Sequence, residues 1–385
     1  MVTGLDVFRG HFREYSNRYL LIGGTACDLL MSDAGLPFRA TKDLDIVLCV
    51  DAATGKTVWK QFFPDVADNP NGRHPLSGGP MFSFGKPKQG PHNLPAVAGG
   101  KVAAIGFGGH LYCLDAATGA VVWQKRAFEG PHTMSSVLPA AGNFLCLHSA
   151  DIPDGNKKRL GFTAFKAEDG SIAWTTPLVE TGRTGPIRHL AADREVILIG
   201  GRCLDAASGK QLWEVPGHGP HGSPAIGEGF LMLAGPARDG GPLGYRLGSD
   251  IATAPTPAWR LGAEHAVSNS CSIAIHRGFA YYKGVNPSDT NLSRMVAVEL
   301  ATGKATATEP FRNDACGACS AGDGMIFYED GAWSAMPAFA KLPGHIGTPG
   351  DGALDYADCH SPCYVEGRLY VRGRNHLRCY DLRAP

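Results

Sequence analysis

Short runs that alternate apolar and polar residues, broken by small-residue turns, dominate the chain from residue 46 onward. Alternation puts one side of an extended segment into a core and the other into solvent, so the pattern predicts β-strands. One unit recurs: an alternating strand, an acidic residue, a small-residue turn ending in Gly, and a strand carrying Trp. It reads CVDAATGKTVWK from Cys49 to Lys60, CLDAATGAVVWQ from Cys113 to Gln124, and FKAEDGSIAWTT from Phe165 to Thr176. It returns as CLDAASGKQLWE from Cys203 to Glu214 and as VELATGKATATE, without the Trp, from Val298 to Glu309. The turn chemistry explains the pattern: Gly supplies a positive φ at low steric cost, and Asp hydrogen-bonds its own turn backbone.

Asp51, Asp115, Lys166, Asp205, Glu299 and Asp381 occupy equivalent positions, separated by 64, 51, 39, 94 and 82 residues. The last two intervals read as double periods. A second hairpin precedes each turn, as in the stretch from Pro95 through a Gly99-Gly100 turn to Asp115. SPAIGEGFLMLAG from Ser223 and SPCYVEGRLYVRG from Ser361 repeat that first half, and more degenerate copies begin at Ser270 and Ser320. Four strands per unit at a period of about 40–50 residues predict an all-β fold, a β-propeller. Seven or eight four-stranded blades fit, and eight counts every Asp/Gly turn. The first unit, from Ile46 to Lys60, shows only its last two strands, and the last, from His360 to Leu382, only three. Pairing of these halves would close the fold without open sheet edges.

The repeats resemble those of the quinoprotein-like propellers, whose pyrroloquinoline-quinone-type repeat carries an Ala-Leu-Asp-Ala-x-x-Gly-Lys-x-x-Trp docking motif. Here the motif stands as LDAATGAVVW from Leu114 and LDAASGKQLW from Leu204, and the resemblance covers residues 46–385. It implies that Trp59, Trp123, Trp174 and Trp213 pack between neighbouring blades rather than stack on a cofactor. The family includes quinone-dependent dehydrogenases, assembly scaffolds and members that bind no quinone. A dehydrogenase of this kind is expected to carry adjacent cysteines over the cofactor and Asp, Glu and Asn ligands for calcium. No Cys-Cys pair occurs in this chain.

Residues 1–45 do not fit the repeat. They contain a strand from Tyr19 to Ile22, a Gly23-Gly24 turn, a helix-like stretch from Thr25 to Ser32, and Asp43-Leu44-Asp45 on a further strand. Residues 1–48 resemble the start of an abortive-infection-type nucleotidyltransferase toxin. In such a protein the glycines hold a triphosphate and the two carboxylates hold magnesium. Asp43 and Asp45, two apart on a strand, project to one side, and a helix start after glycines attracts phosphate. The rest of that fold is missing, because the propeller repeat begins at once. Residues 1–45 therefore read as a short, truncated α/β segment, and residues 46–385 as the propeller.

GPH occurs before three predicted first strands, placing His92, His132 and His221, and His189, His265 and His360 fall in comparable positions. First strands line a propeller's central channel, so these imidazoles are expected to form a ligand-binding funnel. Cys316, Cys319, Cys359 and Cys363 have spacing compatible with a thiolate zinc site. Buried thiols and polar channel residues explain the same positions without a metal.

Charge narrows the partners. The 385 residues carry 36 Lys and Arg against 36 Asp and Glu, a balance that argues against a nucleic-acid partner held by a basic surface. No run approaches the roughly 18 apolar residues of a spanning helix, and no export signal opens the chain, although loss of the propeller's own start would leave a periplasmic or extracellular location open. The sequence points to a noncatalytic scaffold for a protein or small-molecule ligand. The alternatives are a degenerate quinone- or metal-dependent oxidoreductase using the His/Cys funnel, with zinc or pyrroloquinoline quinone as cofactor, and a nucleotidyltransferase remnant fused to a propeller.

Overall fold

The computed structural model describes residues 95–105, 110–127, 137–150, 159–178, 185–191, 194–216, 223–235, 240–268, 272–289 and 292–312, and outside them only the strands 19–22, 45–50, 57–63, 319–322, 325–329, 333–337, 363–365, 368–372 and 377–381. Two compact units divide the chain: residues 1–181 with 206–210, and residues 182–205 with 211–385. Among the described residues there is no α-helix, and the strands form eight antiparallel sheets. The molecule is a β-propeller in fold class, as the repeat predicts. The helix-like stretch from Thr25 to Ser32 lies outside the described residues.

The second sheet shows how the repeat folds. Strands Ala96–Ala98, Lys101–Ile105, His110–Asp115 and Val121–Arg126 pair in sequence order, each with the next. The first turn has φ of +55° at Gly99 and +72° at Gly100, the two left-handed residues of a tight hairpin whose twist matches the strands. Ala141-Gly142, Glu228-Gly229 and Arg277-Gly278 repeat this geometry in the third, fifth and sixth sheets. In each case the second glycine's carbonyl accepts a backbone N–H from beyond the third strand: Ala116, Ala167, Leu247 and Leu300 donate to Gly100, Gly142, Gly229 and Gly278. That bond ties the inner hairpin to the outer one.

The outer turn is set by backbone as much as by the acidic side chain. Asp115 N–H donates to Ala120 and Gly119 N–H to the Asp115 carbonyl, both at 2.8 Å. The same two bonds recur with Lys166 and with Glu299 in the place of Asp115. Asp115 adds a cap: its Oδ1 accepts from the N–H groups of Ala117 and Thr118 and from the Thr118 hydroxyl, at 2.8–3.0 Å.

Five tryptophans connect successive repeats. Within the first unit the indole N–H of Trp59 donates to the Ala116 carbonyl at 3.0 Å, that of Trp123 to Ala167 at 3.1 Å, and that of Trp174 to Ala206 at 3.1 Å. Within the second, Trp213 donates to Ile251 and Trp259 to Leu300, each at 2.8 Å. The rings cover the turn glycines: a Cβ added to Gly119 would lie 2.5 Å from Trp59, and one at Gly209 2.3 Å from Trp174. Each Trp sits across from a small residue, Cys49, Cys113, Ala164, Cys203 or Gly244, and beside that pair the register slips by one residue. The resulting bulge swings the ring toward the next repeat.

Apolar clusters fill the spaces between sheets. In the first unit Val102, Tyr112 and Leu114 pack on Trp59, and Phe144, Cys146 and Phe165 pack on Cys113. In the second, Leu231, Leu233 and Tyr245 pack on Trp213, and Tyr282, Val296 and Val298 pack on Phe230 and Met232.

The ends depart from the sequence expectation. Tyr19–Ile22 pairs with Asp45–Val50, which pairs with Thr57–Phe63, so the first sheet has three described strands rather than two. The eighth sheet comprises Cys363–Val365, Arg368–Arg372 and Leu377–Asp381. The additional strand of the first sheet comes from the segment ahead of the repeat. The reason lies in the chain before the repeat: Tyr-Leu-Leu-Ile offers Val47 to Val50 an apolar partner close in sequence, with Tyr19 opposite Val50 and Ile22 opposite Val47.

Candidate functional site

Of the six histidines expected at the funnel, His189 and His265 fall on described residues, and both belong to the second unit. His92, His132, His221 and His360 lie outside the described residues.

His189 sits on Ile187–Leu190, the first strand of the fourth sheet, opposite Val196. Exposure alternates along this strand: Ile187 and His189 are half-buried, while Arg188 and Leu190 are exposed. Arg188 is held by an ion pair to Glu195 on the neighbouring strand. Burial pulls the His189 pKa below the usual imidazole value, so the ring is neutral at neutral pH.

His265 ends a single 3-10 turn, Ala263–His265, just before the first strand of the sixth sheet. The following residues run along that sheet: Ser268 N–H donates to Lys283 at 2.8 Å, and Val285 N–H to Ala266 at 3.0 Å. The Tyr282 hydroxyl donates to the His265 carbonyl at 2.8 Å, and burial raises the Tyr282 pKa so that it remains a donor. Arg294, on Leu292–Glu299, donates to the Glu264 carbonyl. The His265 Nδ1 and Arg294 Nε atoms are buried and have no hydrogen-bond partner among the described residues.

Burial lowers the His265 pKa, Glu264 opposes the shift and Arg294 reinforces it. A neutral imidazole beside a permanent guanidinium suits an anionic or hydrogen-bonding group, because the His265 Nδ1 and the Arg294 Nε have no partner among the described residues. Sequence reasoning found His265 from its place before a first strand but missed Arg294 and Tyr282. The available signal was a charged residue interrupting the apolar run of Leu-Ser-Arg-Met-Val-Ala-Val. Trp259 was also missed, because the turn before it is longer and prolines stand at its end and in the strand that follows, at Pro255 and Pro257.

The cysteines divide similarly. Cys319 opens Cys319–Gly322, the first strand of the seventh sheet, and Cys363 opens Cys363–Val365, the first strand of the eighth. These two strands lie side by side. Cys316 and Cys359 lie outside the described residues, and among the described residues no group of three His, Cys, Asp or Glu is gathered for a metal ion. Cys49, Cys113, Cys146 and Cys203 are buried thiols outside any disulfide. In the N-terminal pattern Asp45 opens a strand of the first sheet, while Gly23, Gly24 and Asp43 lie outside the described residues. No described helix is long and apolar enough to cross a membrane.

A family model described as outer membrane protein assembly factor BamB matches residues 44–239. No curated protein matches the chain by sequence. Among solved structures, BamB from Moraxella catarrhalis superposes with a TM-score of 0.57 at 15% identity, over 89% of this chain and 93% of that one. A europium-containing methanol dehydrogenase gives 0.56 at 12% identity, over 80% and 75%. The quinohemoprotein alcohol dehydrogenase ADHIIG from Pseudomonas putida HK5 gives 0.52 at 14% identity, over 88% and 69%. At these identities the likeness is one of fold, and the fold hosts both an assembly factor and oxidoreductases.

Proposed function

The chain belongs to the family described as outer membrane protein assembly factor BamB, and from that premise we propose that it acts as a noncatalytic scaffold that binds another protein. The observation that carries this reading is the use made of the tryptophans. All five described indoles of the repeat are committed to contacts between repeats, each with its N–H bonded and four of them, Trp59, Trp123, Trp174 and Trp259, with the ring laid over a turn glycine. None of them is free to stack a planar cofactor.

The partner-binding residues are those ahead of the first strands: His92, His132, His189, His221, His265 and His360, with Arg188, Leu190 and Arg294 added by the structure. Leu190 is 69% exposed on its strand, next to the Arg188 ion pair, which is the mixture of apolar and charged groups that protein contacts use. Capture of a stoichiometric protein partner by the intact chain, weakened by Leu190→Glu without loss of folding, tests the reading. Capture unchanged by that variant and by His189→Ala overturns the assigned surface.

A second reading, a metal- or quinone-dependent oxidoreductase, draws on the adjacent strands that begin with Cys319 and Cys363. With Cys316 and Cys359 they make the candidate zinc set. Elemental analysis of the purified chain and an absorbance scan for quinone decide between the two, since stoichiometric zinc or quinone would displace the scaffold reading. Residues 1–45 are assigned as a truncated nucleotidyltransferase-like segment, with Gly23, Gly24, Asp43 and Asp45 as its remnant. Magnesium-dependent nucleotide binding that is lost in Asp43→Asn would show the remnant to be functional.

A further inference from the structure

The boundary between the sixth and seventh sheets is built unlike those before it. The sixth sheet comprises Ala274–His276, Phe279–Val285, Leu292–Glu299 and Ala305–Ala307, with Phe311–Arg312 also paired to Leu292–Glu299. The seventh comprises Cys319–Gly322, Met325–Glu329 and Trp333–Pro337, and its first strand runs beside the first two strands of the sixth, within the second unit.

Two differences coincide there. Where Trp123 faces Cys113 and Trp213 faces Cys203, the sixth sheet sets Thr306 opposite Ala297. No bulge occurs at that pair: Val298, Ala297 and Val296 face Ala305, Thr306 and Ala307 in unbroken register. The indole and the slip that aims it are absent together.

The second difference is polarity. Residues of adjacent strands that lie opposite each other share a face, so Tyr281, Lys283, Ser293, Met295 and Ala297 form one side of the sixth sheet. The other side, with Ala280, Tyr282, Val296 and Val298, packs on the apolar residues of the fifth sheet. On the first side Lys283 is only 1% exposed and Ser293 is completely buried, its hydroxyl without a partner among the described residues. A buried ammonium, even when paired, stabilises far less than the apolar contact it replaces, because its dehydration offsets the attraction. A buried hydroxyl left unbonded is a net cost.

We infer that this boundary is a built-in opening point, at which the seventh sheet separates from the sixth while the Trp-bound boundaries remain closed. Boundaries lacking a buried ring and carrying desolvated polar groups have the smallest free energy of local opening. The inference is independent of the scaffold reading, since it concerns how the sheets hold together and not what they bind.

The intact chain in urea below its main transition provides the test. Lys283 is labelled with an acylating reagent and Cys113 and Cys203 with an alkylating one in the same samples, and the sites are read by mass spectrometry. Labelling of Lys283, together with hydrogen exchange of Met325–Glu329, is expected at urea concentrations where Cys113 and Cys203 are still protected by about tenfold or more. Lys283→Met, which replaces the ammonium with a chain of similar volume, is expected to move exchange of Met325–Glu329 to higher urea and leave Cys113 and Cys203 unchanged. Simultaneous labelling of Lys283, Cys113 and Cys203 overturns the inference, as does a Lys283→Met variant in which Met325–Glu329 exchanges no later than before.

Discussion

The indole N–H of Trp123 reaches the carbonyl of Ala167, 44 residues later in the chain, at 3.1 Å. The same ring covers Gly170, so one side chain closes a turn in the next repeat and fills the space beneath it. Lys125, two residues on, adds a second hold by donating to the Gly170 carbonyl. Thr176 does the same for Gly209 at 2.6 Å.

Trp123 is partly buried, so Trp123→Ala should cost somewhat less than the about 3–5 kcal/mol of deleting a fully buried aromatic. Trp123→Phe keeps much of the packing but strands the Ala167 carbonyl, and should cost less, though more than the roughly 1 kcal/mol of one hydrogen bond. Urea midpoints at unchanged slope measure both. Equal costs for the two substitutions would show that the N–H, and not the ring, carries the latch.

Two glycines separate conformational from steric demand. Gly99 has φ +55° with nothing within 4 Å of an added Cβ, whereas Gly119 has φ +74° and the Trp59 ring 2.5 Å away. Gly99→Ala is expected to cost only the left-handed backbone penalty, about 1 kcal/mol. Gly119→Ala adds displacement of Trp59 and should cost at least about 2 kcal/mol more, within the range for overpacking a filled site. Thermal denaturation of the two variants side by side is the measurement, and equal losses would contradict the ring contact.

The buried thiols predict a loss of stability at alkaline pH. Burial raises the Cys113 pKa to about 11 and that of Cys203 to about 12, from an ordinary value of 9.0. The unfolded chain loses these protons first, so stability is full below pH 9.0 and declines as pH rises from there toward 11 and 12. Cys113→Ala and Cys203→Ala should flatten that decline. Both thiols should also resist alkylation in the folded chain and react on unfolding, and rapid alkylation at neutral pH without denaturant would contradict their burial.

The histidines act in the other direction. His189 and His265 both titrate below the ordinary value of 6.5 because burial disfavours the charged ring. The unfolded chain binds these protons first as pH falls, so their contribution is full above pH 6.5 and shrinks below it. His265→Gln should remove part of that acid sensitivity while preserving a hydrogen-bonding side chain. Nuclear magnetic resonance titration of the two rings gives their pKa values directly, and either at or above 6.5 would refute the assignment.

Much of the fold was legible because its signals are local. A turn of Asp-Ala-Ala-Thr-Gly announces itself through residues that each favour one backbone conformation, and Cys113 and Trp123 recur at fixed distances from it. The site was only half legible. His265 could be located by its place before a strand, but Arg294 comes close to it through pairing between strands that no spacing rule encodes.

The sequence by itself determined the strands, the turns and the repeat, since alternation and glycine placement act within a few residues and need no distant partner. Tertiary structure decided where the pattern breaks. Tyr19–Ile22 joins the first sheet because it offers an apolar partner to Val47–Val50, although its own residues match another pattern. Lys283 and Ser293 are buried on a sheet whose fourth strand lacks both a tryptophan and a bulge, and whose first two strands lie beside the first strand of the seventh sheet. Burial and the cost of dehydrating a charge are properties of a surface assembled from distant segments, so the chain in linear order leaves them open.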